Sequence, residues 1–125
     1  MREKPLILVI DDSAPIRDVL KAGLQKLGDF DVVDAADGPS GLFAAVEHEP
    51  DLILLDWVMP RMTGLEVLQE LRNRHETSKT PIFMLTKRDM MSDVMDATDA
   101  GADGYFTKPL KLSELTERLK LSLSK

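Results

Sequence analysis

Leu6-Ile7-Leu8-Val9-Ile10 is an unbroken apolar run that stops on Asp11-Asp12, and Leu52-Ile53-Leu54-Leu55 is a second that stops on Asp56. A strand with one wet face alternates apolar and polar side chains. A run without polar members suits a strand covered on both faces, which means a parallel sheet with helices on each side. In such sheets ligands bind beyond the carboxyl ends of the strands, where the strand order reverses. If the two runs are neighbours, their ends lie roughly 5 Å apart, and three carboxylates share one small volume. At an effective dielectric of about 20, each close pair repels by about 4 kcal/mol. A protein tolerates that when a cation or protons neutralise the site, or when function needs it.

The rest of the chain continues the alternation. The first strand is Leu6–Ile10, with Pro5 at its start, where a missing donor is tolerated. Pro15 falls in a first helical turn, Ile16, Val19, Leu20, Gly23, Leu24 and Leu27 follow at helical spacing, and Gly28 is a stop. A short second strand is expected at about Asp31–Ala35 and a helix from about Pro39 to Glu47, burying Leu42, Ala45 and Val46. The third strand is read as Asp51–Leu55. Thr63 is placed to cap a helix from Gly64 to about Arg74, which buries Leu65, Leu68 and Leu71. Ile82–Leu85 is the fourth strand. A helix from about Met90 to Ala100 puts Met91, Val94, Met95 and Thr98 near one face, and Gly101 stops it. Gly104–Thr107 is the fifth strand, and Ser113 is expected to cap a last helix with Leu115 and Leu119 inward. Right-handed crossovers turn these βα units into a doubly wound five-stranded parallel sheet, a flavodoxin-like (βα)5 fold of order 2-1-3-4-5. Its switch point lies between strands 1 and 3, which carry the acids. The 125 residues suit one domain, 1–125, with one sizeable core.

Two further strand ends point to the same edge: Thr86 follows Ile82–Leu85, and Lys108 follows Tyr105-Phe106-Thr107. Taken singly, each residue has a plain structural explanation, since Asp suits turns and helix caps and a lone lysine is usually solvated. Together they make a site for a phosphoryl group. Carboxylates are hard oxygen ligands, and an incomplete shell with room for water suits Mg²⁺. Positioning and charge stabilisation are most of what phosphoryl transfer requires. A carboxylate can itself be the nucleophile, giving an aspartyl phosphate.

With these residues in view, the chain resembles the receiver domain of bacterial two-component response regulators, of the chemotaxis-regulator kind, from Leu6 through the last helix. The matching pieces are Asp11-Asp12, Asp56 within Leu54-Leu55-Asp56-Trp57-Val58-Met59-Pro60, Gly64, Thr86, Gly101-Ala102-Asp103-Gly104-Tyr105 and Lys108-Pro109. The resemblance implies that Asp56 is the phosphoacceptor. It implies that Asp11, Asp12, Asp56 and the backbone carbonyl of Val58 hold Mg²⁺, with Mn²⁺ as a substitute. Lys108 would pair with the phosphoryl oxygens, Thr86 would donate to one of them after transfer, and Tyr105 would be the aromatic switch. Lys108-Pro109 would be a cis peptide bond, a conformation that proline makes accessible. The donor would be a histidine kinase or a histidine phosphotransfer protein. The output would be a separate protein or a fused effector domain, reached through the surface of the fourth helix, fifth strand and fifth helix. Catalysis would be limited to self-catalysed phosphotransfer and autodephosphorylation, without a dedicated substrate.

Several positions depart from the family pattern. Lys87 stands where a small residue usually follows the switch threonine; it could assist phosphoryl binding, hinder partner access, slow hydrolysis or simply point to solvent. Val58 puts an apolar side chain near the route of the hydrolytic water and predicts slow autodephosphorylation. Gly104 replaces the acid that winged-helix regulators carry before the switch aromatic, although Arg118 and Lys120 match their basic positions. His48 and His75 match no family phosphorylation site and read as surface residues. Leu121 lies off the inward stripe of the last helix.

The remaining bounds are compositional. A net charge of −6 argues against a dominant phosphate-backbone partner, so direct nucleic-acid binding is not expected. The absence of Cys removes thiol catalysis and Cys-ligated metals. No apolar run approaches the ~18 residues of a membrane span, and Met1–Pro5 lacks a signal-peptide core, so a cytoplasmic protein is expected. The competing readings are a pseudo-receiver that binds partners without phosphorylation, which the intact residue set argues against, and a haloacid-dehalogenase-like phosphatase. The second would need an Asp where Val58 stands. The chain ends at Lys125, which fits a free-standing receiver or one domain of a longer protein.

Overall fold

The computed structural model describes residues 3–87 and 91–124, with side chains for all of these except residues 91–94. Five strands alternate with five helices: β1 (Leu6–Ile10), α1 (Ala14–Leu27), β2 (Asp31–Ala35), α2 (Gly38–His48), β3 (Leu52–Asp56), α3 (Gly64–Asn73), β4 (Ile82–Thr86), α4 (Met91–Asp99), β5 (Gly104–Thr107) and α5 (Leu112–Leu123). All strand pairs are parallel and the order is β2-β1-β3-β4-β5. The doubly wound sheet expected from the apolar runs is present.

Why those runs carry no polar residue is visible in the packing. Successive strand side chains point to opposite faces. Leu8, Ile10, Ile53, Leu55 and Met84 face a layer built on Leu42, Ala45, Val67, Leu68, Leu71 and Ala97. The alternate residues Ile7, Val9, Leu52, Leu54 and Leu85 face Leu20 and Leu24 of α1 and Leu115 and Leu119 of α5. Each central strand therefore feeds two cores.

The ends differ from the sequence reading by small, explicable amounts. β3 runs through Asp56 and β4 through Thr86. The amide of Trp57 donates to Leu85 O at 2.8 Å and that of Lys108 to Thr86 O at 2.7 Å, which adds one rung to each ladder. Asp56 and Thr86 are thus held by the sheet itself. Thr63 caps α3 in a reciprocal box with Glu66. Ser113 does not cap α5: the helix has already begun at Leu112, and Leu115 N–H donates to Lys111 O to close its first turn. Gly101 ends α4 with φ 102°, and the amides of Gly101 and Ala102 bond back to Thr98 O and Ala97 O, the Schellman pattern that needs a left-handed residue. Met90 and Arg88 lie outside the described residues, as do the side chains of Met91 and Val94. Met95 and Thr98 are exposed, while Ala97 is the buried residue among those of α4 whose side chains are described. Val46 and Leu65 are half-buried, and Val67 takes the inward place beside Leu68.

Candidate functional site: an acidic cluster with one buried lysine

Parallel pairing of β1 with β3, Ile10 opposite Leu55, sets Asp11 level with Asp56 at the carboxyl edge. Asp11 is fully buried and Asp56 is 6% exposed, whereas Asp12 is exposed. One carboxylate oxygen from each of the three lies within 4.8 Å of the other two. Lys108 enters from the end of β5. Its Nζ donates to Asp11 Oδ2 at 2.8 Å and to Asp56 Oδ1 at 3.2 Å. Asp11 Oδ1 accepts the Ser13 amide at 2.9 Å, so both of its oxygens are engaged. The Lys108–Pro109 bond is cis.

The electrostatics follow from that geometry. Burial, and then the charge of Asp11, push the Asp56 carboxyl up to about 6 against the opposing pull of Lys108. For Lys108 burial works against the charged form. The hydrogen bond to Asp11 and the charges of Asp56 and Asp11 outweigh it and raise the amine above its ordinary value. One buried ammonium thus serves two buried carboxylates, with a third carboxylate at the rim. The cluster holds one positive charge against up to three negative ones. Its hard oxygen donors, two walled in and one open to water, fit a divalent cation that keeps part of its hydration, such as Mg²⁺.

The remaining residues take distinct places. Thr86 ends β4 opposite Thr107, is 3% exposed and sits one position beyond Leu85, the partner of Asp56. Tyr105 pairs with Met84 and is half-buried against the layer of α2, α3 and α4. Val58 is 62% exposed at the mouth of the site. Lys87 is exposed and borders an apolar groove that Lys108 also lines. His48 and His75 lie at the surface.

Gly64 has a structural reason beyond turn preference. A Cβ there would collide with the carbonyl oxygen of Asp56 and the Cα of Trp57, while the Gly64 amide donates to Trp57 O at 2.8 Å. The start of α3 is pressed onto the backbone of the central acid.

Two arginines escaped the sequence reading. Arg17 donates from Nη1 to Asp11 O at 2.8 Å and from Nε to Asp34 Oδ2 at 3.0 Å, tying the turn that carries Asp11 and Asp12 to β2. The signal was Asp34 itself, a charge inside β2 that follows two valines and faces α1. Arg72 gathers the carbonyls of Gly101, Thr77 and Thr80 together with Asp103. Asp103 in turn accepts the Ile82 amide. This knot lies at the opposite edge of the sheet and sets where β4 and β5 begin.

Comparison with known proteins agrees with the geometry. The family model for the response regulator receiver domain matches residues 7–120. The chain is 40% identical over 119 residues to the DNA-binding dual master transcriptional regulator RpaA of Synechocystis; the match covers 95% of this chain and 49% of that protein. The chain therefore spans about half the length of that curated relative. Among solved structures it is similar to the chemotaxis protein CheY4 of Vibrio cholerae, with a TM-score of 0.89, 33% identity and coverage of 94% of this chain and 98% of that one. It is also similar to the receiver domain of the Francisella response regulator 1452, with a TM-score of 0.89, 30% identity and coverage of 97% and 98%. Among the described residues, no helix is long and apolar enough to cross a membrane.

Proposed function

The chain belongs to the response regulator receiver domain family and so has a signalling role, and from that premise we propose that it is a phosphorylation-controlled switch whose phosphoacceptor is Asp56. The observation that carries this reading is the Lys108 ammonium, 3.2 Å from a carboxylate that closes a buried strand beside two further acids. A structural salt bridge needs one acid for one amine. This site keeps excess negative charge at the edge where ligands of such sheets bind.

The donor is a histidine kinase or a histidine phosphotransfer protein. An oxygen of Asp56 attacks phosphorus, the P–N bond of the phosphohistidine breaks, and the imidazole nitrogen keeps the electron pair. Asp11, Asp12, Asp56 and the carbonyl of Val58 would hold Mg²⁺, which when bound offsets the charge of the carboxylates and of the phosphoryl oxygens. Lys108 balances the transferred charge directly. Its amine is already fixed by Asp11, so little reorganisation is needed during transfer. Phosphorylation adds charge and acceptor oxygens, to which the Thr86 hydroxyl then donates. Thr86 and Tyr105 lie on adjacent strands, and movement of the first changes the packing of the second. Only contacts that differ between the two states can shift their population. The face of α4, β5 and α5 carries the change to an output protein or a fused effector domain, and residues 1–125 act as one receiver unit.

The test is intact mass after incubation with Mg²⁺ and a small acyl phosphate. A phosphoryl adduct on the wild type that is absent from Asp56→Asn is expected. No adduct with any donor would remove the reading in favour of phosphorylation-independent binding.

A further inference from the structure

The turn that joins β1 to α1 carries two of the three acids, and one side chain spans it. Asp11 N–H donates to Ala35 O at the end of β2, at 3.1 Å. Arg17 Nη1 donates to Asp11 O at 2.8 Å, and its Nε donates to Asp34 Oδ2 at 3.0 Å. Arg17 lies in the first turn of α1, where its own amide donates to Ser13 O at 3.0 Å. Its side chain is 18% exposed and that of Asp34 28%. The other Asp34 oxygen, Oδ1, lies 3.5 Å from Nζ of Lys21, one turn further along the helix. The guanidinium is therefore a planar link, with one donor on β2 and another on the peptide that joins Asp11 to Asp12. Asp12 stands beyond the end of β1 and is exposed, yet it keeps a carboxylate oxygen within 4.8 Å of those of Asp11 and Asp56.

An exposed acid beyond a strand end gains hydration by turning its carboxylate into water. Rotation about the bonds on either side of the Asp11–Asp12 peptide does that. The peptide is planar and turns as one unit, so the same rotation swings Asp11 O away from Arg17. Taking Asp11, Asp12 and Asp56 as the holders of Mg²⁺, we propose that Arg17 is a positioning residue for the metal. By holding the Asp11 carbonyl it keeps Asp12 aimed at the cluster, and Asp34 keeps Arg17 in place. Partners of this kind, one step removed from the ligands, change metal affinity by about 10–100-fold when they are lost. Charge alone predicts the opposite sign. A guanidinium beside a divalent-cation site repels the cation, so its removal tightens binding unless it holds a ligand in place. Lys21 shares Asp34 but sits a turn further from Asp11 along α1, and so supplies the comparison.

Mg²⁺ titrations followed by the fluorescence of Trp57, which is bonded to Asp56, test this without phosphorylation. They compare the wild type with Arg17→Met, Asp34→Asn, the charge-neutral pair of both, and Lys21→Met. Each is titrated at ionic strengths of about 0.15 and about 1 M, the second screening charges beyond about 3 Å. Arg17→Met is expected to raise the Mg²⁺ Kd about ten-fold, and the pair to match it, because both substitutions break one link. Asp34→Asn weakens binding about three-fold at both ionic strengths, and Lys21→Met leaves Kd within about two-fold of the wild type. Half-maximal labelling of Asp56 by a small acyl phosphate then needs about ten times more Mg²⁺ in Arg17→Met, and saturating Mg²⁺ restores the wild-type rate. An Arg17→Met Kd equal to or below that of the wild type overturns the proposal and leaves Arg17 as a pin between α1 and β2. Recovery in the charge-neutral pair, or an equal loss in Lys21→Met, does the same. So does an Asp34→Asn effect that vanishes at high salt, which decides the matter even where Arg17→Met folds too poorly to titrate. A wild type whose fluorescence and Tm both ignore Mg²⁺ overturns the metal reading itself, and this proposal with it.

Discussion

Replacing Asp56 by Asn should make the metal-free protein more stable. The carboxyl moves from an ordinary 3.8 in the unfolded chain to about 6 in the folded one, because burial and Asp11 disfavour its charge more than Lys108 favours it. Above pH 6 the folded protein carries that penalty in full. Two pH units at ~1.4 kcal/mol each set an upper bound of about 3 kcal/mol. That bound already contains the attraction of Lys108, and solvent screening at the partly open site reduces it, so a net gain of about 2 kcal/mol is expected at pH 7.5, or roughly 8 °C in Tm. The gap between variant and wild type closes as pH falls through about 6 toward 3.8, because the wild-type carboxyl then takes up the proton that relieves it. Urea unfolding in EDTA at pH 7.5, 5.5 and 4.5, followed by the fluorescence of Trp57, measures this directly. Added Mg²⁺ should stabilise the wild type more than the variant and narrow the gap at pH 7.5. An Asn variant less stable than the wild type at pH 7.5, or a gap that does not change with pH, would refute the reasoning. In that case the Lys108 pairing dominates the site.

Gly64→Ala should cost about 3 kcal/mol in urea unfolding, since neither the Asp56 carbonyl nor the Trp57 Cα can move without breaking the sheet; a loss under 1 kcal/mol would show that the start of α3 can back away. Arg72→Met should cost a similar ~3 kcal/mol by leaving three carbonyls and Asp103 without their common donor, yet the adduct on Asp56 should form at the wild-type rate, because the knot sits at the far edge of the sheet. Val58→Asn should shorten the phosphoryl half-life several-fold by offering a polar group to the attacking water where an exposed apolar one now stands; an equal or longer half-life, read by decay of the adduct mass, counts against that role.

The layout could be read from the sequence because the central strands are buried on both faces. Burial on two sides leaves an uninterrupted aliphatic run, and each charge that ends such a run marks the carboxyl edge. The place of Asp11, Asp56, Thr86 and Lys108 at that edge was therefore legible, and the structure joins Lys108 to Asp11 and Asp56. The strand limits shifted by one residue because the last rungs depend on the carbonyls of Leu85 and Thr86, and main-chain acceptors leave no mark on residue identity. Arg72 stayed hidden for the same reason, since most of its partners are carbonyl oxygens, as is one of the two partners of Arg17. Ser113 was misread because a cap residue is recognisable only if the helix starts beside it, and here the chain turned helical one residue earlier. The apolar groove, lined by Ile16 and Val19, was not legible either, since both follow the same helical spacing as residues that are buried.

The added rungs have one further consequence. From Asp56 the path runs through the Lys108 side chain to its amide, across to Thr86 O, back along one peptide to Leu85 O, and across to the Trp57 amide, which is bonded to Asp56. The path closes on itself and passes through three strands. In a closed frame no corner can be displaced alone; a change in the length of one side is shared by all of them at once. On the proposed reading, a group added at Asp56 would reach β4 and the end of β5 together, as a distortion of one ring, and not as a sequence of pushes from strand to strand.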